Sequence, residues 1–266
     1  MRLSHTSAFV LLLLGADIYK TQAAKTYLTK LDLSAGQPLY DQMMAYWPHY
    51  DQIVKNRKHA VLQLIEILLL SGDLPHQILI AAAGMDAMGL EIAERYPGAH
   101  IYEIDEAFME QKCKLVDHPR MTMLTGDLTK PAACLEDLTA AGWQSGRPSL
   151  VIYEGISYYL PPEALGGFNA AIAPDYAIVD YHKPFELVDA RAKELAIFCF
   201  ETILGAKGCA ELSRFDVKAL EDLLGLPIFE RMSMQAMEKI RMSRNHHFCT
   251  EANGWIEVSL FGKAGK

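Results

Sequence analysis

Short apolar runs recur through the middle of the chain, separated by segments with helical patterns. The runs lie at residues 78–80, 101–104, 121–124, 149–153 and 176–181. Runs of this length, bounded by turn residues, are typical of buried strands. Strands that alternate with helices predict an α/β fold, in which a parallel sheet with right-handed crossovers carries helices on both faces.

The two ends of the chain carry different patterns. Residues 1–70 and 185–240 are mainly helical in pattern. Residues 246–250 and 255–261 alternate around Asn253-Gly254, which predicts an antiparallel hairpin on a two-residue turn. We therefore expect one domain, residues 1–266, made of a helical cap (1–70), a core (74–182), a second helical region (185–240) and a C-terminal hairpin (244–262).

Composition argues against several classes of function. Half of the 266 residues are hydrophobic (51%), which is enough to form a buried core. The net charge of −8 argues against a nucleic-acid-binding surface, which is normally basic. The five cysteines form no Cys-x-x-Cys pair, which favours a reducing compartment over a disulfide framework. We therefore expect a cytoplasmic enzyme that acts on a small molecule, with no nucleic acid or membrane as partner.

An apolar run near the start of the chain resembles the core of a signal peptide. Residues 8–16 are almost entirely apolar, and Asp17 follows them without a well-placed cleavage site. The run is too short to span a membrane. Because Ser4-His5-Thr6-Ser7 would cap a helix well, the run is interpreted as the buried face of an N-terminal helix.

Small and acidic residues stand at the ends of the predicted strands. The first strand is followed by Ala82-Ala83-Gly84-Met85-Asp86, and the later strands end at Glu103 and Asp105, Asp127 and Leu128, Glu154 and Gly155, and Tyr181 and His182. Small residues let a backbone turn tightly and lie close to a ligand. Ligands of open α/β sheets bind at these strand ends, and an acid about 20 residues past the first loop can hydrogen-bond the ribose of a nucleoside. One acidic strand end is also typical of an ordinary βαβ unit, but the series favours a nucleoside-cofactor site.

Two rival kinds of site are disfavoured. A nicotinamide cofactor would favour Gly-x-Gly-x-x-Gly, of which two glycines are absent here, and the chain has no Tyr-x-x-x-Lys pair for hydride chemistry. His247 and Cys249 would share one face of the predicted hairpin strand, but no further ligand cluster accompanies them. We therefore expect no metal site.

Four stretches resemble the leucine carboxyl methyltransferases and their bacterial relatives, the polyketide-type O-methyltransferases. These stretches are residues 82–86, residues 102–105 with Lys112, Gly126-Asp127-Leu128, and residues 153–161. The resemblance covers roughly residues 74–181 and implies a seven-stranded Rossmann-like methyltransferase sheet that binds S-adenosyl-L-methionine. Ala82 departs from the family pattern, since a glycine is usual there, and this tightens the room for the methionine part of the cofactor.

The resemblance also implies roles for residues around the nucleoside. Glu103 would bind the ribose hydroxyls, and Asp127 would accept a hydrogen bond from the adenine amine. Leu128 would offer a backbone contact to the same ring system.

At the methionine end, Gly84 would let the backbone approach the cofactor beside Ala82, and Glu154 would lie near the amino group. In the family, a basic residue from the N-terminal region grips the carboxylate. Arg57 is the best candidate here, with Lys25 as the second. Arg57 belongs to the basic patch Asn56-Arg57-Lys58-His59, which could also be the solvated face of a helix.

The implied reaction is methyl transfer to a carboxylate or hydroxyl of a small molecule. A carboxylate needs no general base, whereas a hydroxyl does, and Tyr158 and His182 are the candidates. Two alternatives stay open. S-adenosylmethionine could itself be the substrate, cyclising to azetidine-2-carboxylate with release of methylthioadenosine, or the fold could bind a partner without catalysis. The oligomeric state is not predicted.

Overall fold

Seven strands form one sheet in the computed structural model, which describes residues 3–205 and 208–262. The strands are β1 (Gln77–Ala81), β2 (His100–Asp105), β3 (Met121–Thr125), β4 (Ser149–Tyr153), β5 (Tyr176–His182), β6 (Ile228–Ser233) and β7 (Ile256–Gly262). They lie in the order β3-β2-β1-β4-β5-β7-β6, and β7 runs antiparallel to both of its neighbours. The predicted fold class and the five parallel strands are confirmed.

Helices pack on both faces of this sheet. They are α1 (His5–Leu14), α2 (Gln22–Leu28), α3 (Gln37–Tyr46), α4 (Asp51–Ser71), α5 (Met88–Arg95), α6 (Met109–Leu115), α7 (Pro131–Ala140), α8 (Pro162–Ile172), α9 (Ala190–Leu204), α10 (Gly208–Glu211), α11 (Val217–Leu224) and α12 (Met234–Met242). Ile78 and Ile80 point into a core shared with α4 and α5, whereas Leu79 and Ala81 point into a core shared with α7, α8 and α11. Because both faces are covered, β1 is apolar throughout.

The N-terminal helices form a cap over one side of the sheet. Ser4 caps α1 as predicted, because its hydroxyl accepts a hydrogen bond from the backbone N–H of Ser7 (3.2 Å). The apolar run is largely buried against the rest of the cap. The segment between α1 and α2 is attached to the core by Glu91 of α5, whose buried carboxylate accepts from the backbone N–H groups of Lys20 (3.0 Å) and Thr21 (2.9 Å). Across the residues that the structure describes, no helix has both the length and the apolarity to cross a membrane.

The predicted helix from residue 185 begins later than expected. Pro184 precedes a short 3₁₀ turn at Phe185–Leu187, and α9 starts at Ala190. Asp189 caps it, since its side chain accepts from the backbone N–H of Ala192 (2.7 Å).

The prediction of a hairpin over residues 244–262 is wrong in its first strand. The antiparallel partner of β7 is β6, and α12 lies between the two in the chain. Residues 246–248 instead wrap around the buried carboxylate of Glu238 in α12, which accepts from the backbone N–H groups of all three residues. Asn253 does not form a hairpin turn, because it belongs to a capping box with Thr250. Backbone donors that a strand would use are thus satisfied by side chains.

Candidate active site

A cavity of about 450 Å³ lies where β1, β2 and β4 end, beneath the cap. Its lining includes the loop after β1 and the acids Glu103, Asp105 and Glu154, together with residues of α1, α4 and α9. The cavity is of the size that small ligands occupy, and it lies at the strand ends where open α/β sheets bind them. Among the described residues that line it, the only cations are Arg57 and Lys58.

The loop after β1 is held from below by β2 and α6. Gly84 donates its backbone N–H to Asp105 Oδ2 (2.9 Å), and its carbonyl oxygen accepts from Lys112 Nζ (3.1 Å). Gly84 has φ +51° and open space where a Cβ would stand, so its backbone faces the cavity directly. The loop therefore presents bare backbone to a ligand, as the sequence predicted for Gly84.

Ala82 adopts a backbone conformation that favours glycine, with φ +55°. A left-handed residue with a Cβ costs about 1–2 kcal/mol, and a glycine loses roughly 0.5–1 kcal/mol in chain entropy. We therefore expect Ala82→Gly to raise the free energy of unfolding by about 0.5 kcal/mol or more. Urea titration of this variant beside Ala83→Gly, whose φ is negative, measures the effect. Equal losses of stability in both variants would contradict it.

Glu103 and Lys112 form a buried ion pair beneath this loop. Glu103 Oε2 lies 2.8 Å from Lys112 Nζ, and both side chains are almost fully buried. Burial raises the pKa of the Glu103 carboxyl, and the Lys112 ammonium opposes that rise. Lys112 thereby joins the β2 acid to the loop, since the same ammonium also binds the Gly84 carbonyl.

A second group of charges lies at the ends of β1, β4 and β5. Arg57 Nε is 3.1 Å from Asp180 Oδ2 and 3.5 Å from Glu154 Oε1. Lys58 Nζ is 3.1 Å from Asp86 Oδ2 and also pairs with Glu154 Oε2. These five groups, two cations and three carboxylates, carry a net charge of −1 when all are ionised. We call them the charge cluster.

The basic patch on α4 is therefore not a solvated helix face. Arg57 and Lys58 are 7% and 2% exposed and point into the charge cluster. Sequence reasoning did not give Lys58 or Asp180 a role of its own. Asp180 could have been noticed in the sequence as the one carboxylate inside the apolar run of β5. Lys58 could have been noticed as the cation that directly follows Arg57.

Three of the predicted cofactor contacts lie outside the cavity lining. Lys25 is on α2, half-buried, and does not reach the charge cluster. Asp127 turns back on its own loop, where Oδ1 accepts from the Thr129 backbone N–H (2.9 Å) and hydroxyl (2.6 Å), and Oδ2 pairs with Lys130 (3.0 Å). These contacts lower the pKa of Asp127 to about 2. The side chain of Leu128 packs in the core beside α7.

The two predicted general bases lie one behind the other. Tyr158 lines the cavity, and its hydroxyl accepts from Arg57 Nη1 (3.1 Å). His182 stacks on the far side of the Tyr158 ring (4.0 Å between centroids) and does not line the cavity. Burial, reinforced by Arg214 and Arg57, holds the pKa of His182 well below its ordinary value. The Tyr158 ring therefore separates His182 from the cavity, and a role of His182 as general base stays a prediction.

The part of the cavity lining that comes from α1 and α9 is mainly apolar. Val10 of α1 and Phe200 and Ile203 of α9 contribute to it. Its polar atoms come from Thr6, Ser7 and Cys199. Within the described residues, no charged side chain from α1 or α9 lines the cavity.

The charge cluster fits the amino-acid end of S-adenosylmethionine. Arg57 Nε is ion-paired with Asp180 (3.1 Å), whereas Glu154 Oε1 is buried, has no hydrogen-bond partner within the described residues and lies 3.5 Å from Arg57 Nε. A buried cation and a buried carboxylate with unused hydrogen-bonding capacity suit a carboxylate and an ammonium on one ligand. Across the described part of the chain, no group of three or more His, Cys, Asp or Glu side chains could hold a metal ion.

Comparisons with known proteins identify relatives in sequence and in fold. A candidate S-adenosyl-L-methionine-dependent methyltransferase of Mycolicibacterium vanbaalenii is 35% identical over 127 residues, a match that covers 40% of this chain and 40% of that protein. The fold is similar to that of a DUF574 family protein from Streptomyces avermitilis (TM-score 0.69, 12% identity, 98% of both chains). It is also similar to that of a candidate methyltransferase from Thermobifida fusca (TM-score 0.64, 15% identity, 94% of this chain and 98% of that one).

The family match covers the polar part of the cavity lining. The sequence model of the leucine carboxyl methyltransferase family matches residues 27–172, more than half of the chain, and this range includes α4, the loop after β1 and the end of β4. The chain therefore belongs to the leucine carboxyl methyltransferase family, and its cofactor is S-adenosyl-L-methionine.

Proposed function

We propose that the protein transfers the methyl group of S-adenosylmethionine to an oxygen atom of a small, mainly apolar molecule. The observation that carries this proposal is the contrast between two parts of the lining of one cavity. One part is a buried charge cluster suited to a zwitterion, and the part from α1 and α9 is mainly apolar. The matches in sequence and fold support a methyltransferase, and the mainly apolar part of the lining favours a small acceptor.

At the methionine end, Arg57 would bind the carboxylate and Glu154 the ammonium. In the structure these two side chains face each other, so a ligand with both groups would replace their weak mutual contact of 3.5 Å by two closer ones. Lys58 pairs with both Glu154 and Asp86 and so compensates buried negative charge. The cluster's net charge of −1 also complements the cofactor, whose sulfonium gives it a net charge of +1.

The ribose would lie at the end of β2, where Glu103 and Asp105 stand. Glu103 is bound to Lys112, so its remaining capacity is limited. Asp105 accepts from the backbone N–H groups of Gly84 and Ala107 (both 2.9 Å) and, within the described residues, has no ion pair. We infer that Asp105 adds to the contact predicted for Glu103.

Asp105→Asn is expected to weaken binding of S-adenosylmethionine and of adenosine by about tenfold each, since an amide cannot accept on both sides as the carboxylate does. Isothermal titration with the two ligands measures this. Asp117→Asn, an exposed acid ahead of β3, is the control and should leave both affinities unchanged. An unaltered affinity for adenosine in Asp105→Asn would place the ribose elsewhere.

A carboxylate is the acceptor oxygen that the site favours. The cofactor supplies an electrophilic methyl group on a sulfonium, so the chain's own task is to align the acceptor and exclude water. The pKa of Tyr158 is raised well above its ordinary value by burial, so its phenol is a poor base at neutral pH. The ring of Tyr158 separates His182 from the cavity, so neither predicted base is well placed to accept a proton. An acceptor that arrives already ionised needs no proton transfer and therefore suits this site. The ring of Tyr158 would then help to position the acceptor beside Arg57.

The test is incubation of the protein with S-adenosylmethionine and a panel of apolar carboxylic acids and phenols, followed by mass spectrometry. S-adenosylhomocysteine together with a product 14 mass units heavier than its acceptor is expected. Methylthioadenosine as the sulfur product would contradict methyl transfer. Methylation of phenols but not of carboxylic acids would support the proposed methyl transfer and contradict the proposal that the acceptor is a carboxylate.

A further inference from the structure

Asp180 is a buried carboxylate that the functions proposed above do not use. It lies on β5, is 0% exposed and, unlike Arg57 and Glu154, does not line the cavity. A charge in that position must be compensated by its neighbours. The partners that compensate the charge of Asp180 therefore indicate its role.

Asp180 binds both of the elements that would hold the methionine end. Its Oδ2 lies 3.1 Å from Arg57 Nε, and its Oδ1 accepts from the backbone N–H of Gly155 (2.8 Å). Gly155 directly follows Glu154 and turns the chain with φ +74°. The carboxylate of Asp180 thus joins Arg57 on α4 to the turn after β4.

The contact with Arg57 leaves part of the guanidinium free for a ligand. Asp180 is ion-paired at Nε, and Nη1 donates to Tyr158. A guanidinium is planar, so an acid at Nε and a hydroxyl at Nη1 fix its orientation. Without the acid, Arg57 is free to turn toward Glu154, which would then occupy the groups that a ligand needs.

Ionisation of Asp180 also sets the charge of the cluster. The charged or titratable groups that face it are Arg57 and Lys58 from α4 and Glu154, Tyr158 and Tyr159 from the segment after β4. Burial raises the pKa of Asp180 to about 6, and Arg57 opposes the rise. Protonation changes the net charge of the cluster from −1 to 0, which reduces its attraction for a cofactor of charge +1.

We propose that Asp180 is a positioning residue for the methionine end of the cofactor, acting through Arg57 and the Glu154–Gly155 turn, and that its ionised form is the one that binds S-adenosylmethionine tightly. This rests on the proposed cofactor contacts of Arg57 and Glu154. Both consequences of protonation, a less oriented Arg57 and a less negative cluster, act in the same direction. Affinity is therefore lost as the pH falls through the pKa of Asp180.

The test compares S-adenosylmethionine with methylthioadenosine, which keeps the adenosine and the methylthio group but lacks the amino-acid part. Isothermal titration of the wild-type protein between pH 5 and pH 7 is expected to show a Kd for S-adenosylmethionine that rises about fivefold toward pH 5, while that for methylthioadenosine stays constant. The α-amino and α-carboxyl groups of the ligand titrate outside this range. Asp180→Asn keeps an acceptor for the Gly155 N–H but loses the charge, so at pH 7 it should bind S-adenosylmethionine about tenfold more weakly, without pH dependence, and methylthioadenosine normally.

The matched control is Glu257→Gln, which neutralises another buried carboxylate on the neighbouring strand β7. Glu257 pairs with Arg231 (2.7 Å) and lies outside the cavity lining, so this variant should leave the ratio of the two affinities unchanged. Equal weakening of both ligands by Asp180→Asn, or a wild-type affinity for S-adenosylmethionine that is flat from pH 5 to pH 7, would overturn the proposal. If the wild-type protein binds methylthioadenosine but not S-adenosylmethionine, the assignment of Arg57 and Glu154 fails as well. The pH series on the wild-type protein tests the role of Asp180 even if the variant does not fold.

Discussion

Lys112→Met is expected to lower the free energy of unfolding by about 3–5 kcal/mol, because it leaves Glu103 as an uncompensated charge in the core. Both side chains are 1% exposed, so water cannot replace the lost ammonium. The variant also loses the bond from Lys112 to the Gly84 carbonyl, so the loop after β1 should loosen. Urea unfolding followed by circular dichroism measures the loss of stability.

Two further variants separate charge from packing. Lys114→Met changes an exposed lysine on the same helix α6, and its stability should stay within about 0.5 kcal/mol of the wild type. The double variant Glu103→Gln/Lys112→Met contains no isolated buried charge and should recover much of the stability that the single variant loses. A single variant as stable as Lys114→Met would show that the pair does not hold the loop.

The strands of the core could be predicted because their signal is local. β1, β2, β4 and β5 are mainly apolar runs that are largely buried, and β3 at the edge keeps the same apolar pattern although it is only partly buried; each was predicted to within two residues at either end. β6 carries no such signal. It lies at the edge of the sheet, and its residues Ile228 and Phe229 are 36% and 49% exposed while Met232 is buried. A pattern of that kind cannot be told from a loop.

The error over residues 246–250 has a tertiary cause. The segment alternates as a strand does, but its backbone donors are taken by Glu238, which a sequence pattern cannot show. The short cap segment at Thr250–Asn253 similarly uses a side chain where a turn was expected. Alternation predicts a strand only when no buried side chain competes for the backbone.

The candidate site was predictable where it follows the strand ends. Gly84, Glu103 and Glu154 line the cavity, as their position after β1, within β2 and after β4 implied. The charge cluster was not predictable as a unit, since its partners on α4, β4 and β5 are far apart in the chain. Arg57 was chosen by analogy, and its contact with Asp180 joins residues that no local pattern connects.

Arg57→Gln is expected to weaken binding of S-adenosylmethionine by about 100-fold, roughly 3 kcal/mol, and binding of decarboxylated S-adenosylmethionine by no more than about threefold. The reason is that the second ligand lacks only the carboxylate that we assign to Arg57. Glu154→Gln should weaken both ligands alike, because both carry the ammonium. Isothermal titration with the two ligands measures these affinities.

The comparison between ligands removes the effect of lost stability. Arg57→Gln leaves Asp180 with less compensation and is expected to fold less well. However, the ratio of the two affinities in one preparation does not depend on the folded fraction. Lys55→Gln removes a cation from the same helix, where it pairs with Asp51 (2.7 Å) outside the cavity, and should leave the ratio at its wild-type value. A hundredfold loss for both ligands in Arg57→Gln would mean that the arginine shapes the cavity without contacting the carboxylate. A loss confined to S-adenosylmethionine in Glu154→Gln would mean that the ammonium does not lie at Glu154, so these titrations test the placement of both charged groups of the methionine end within the charge cluster.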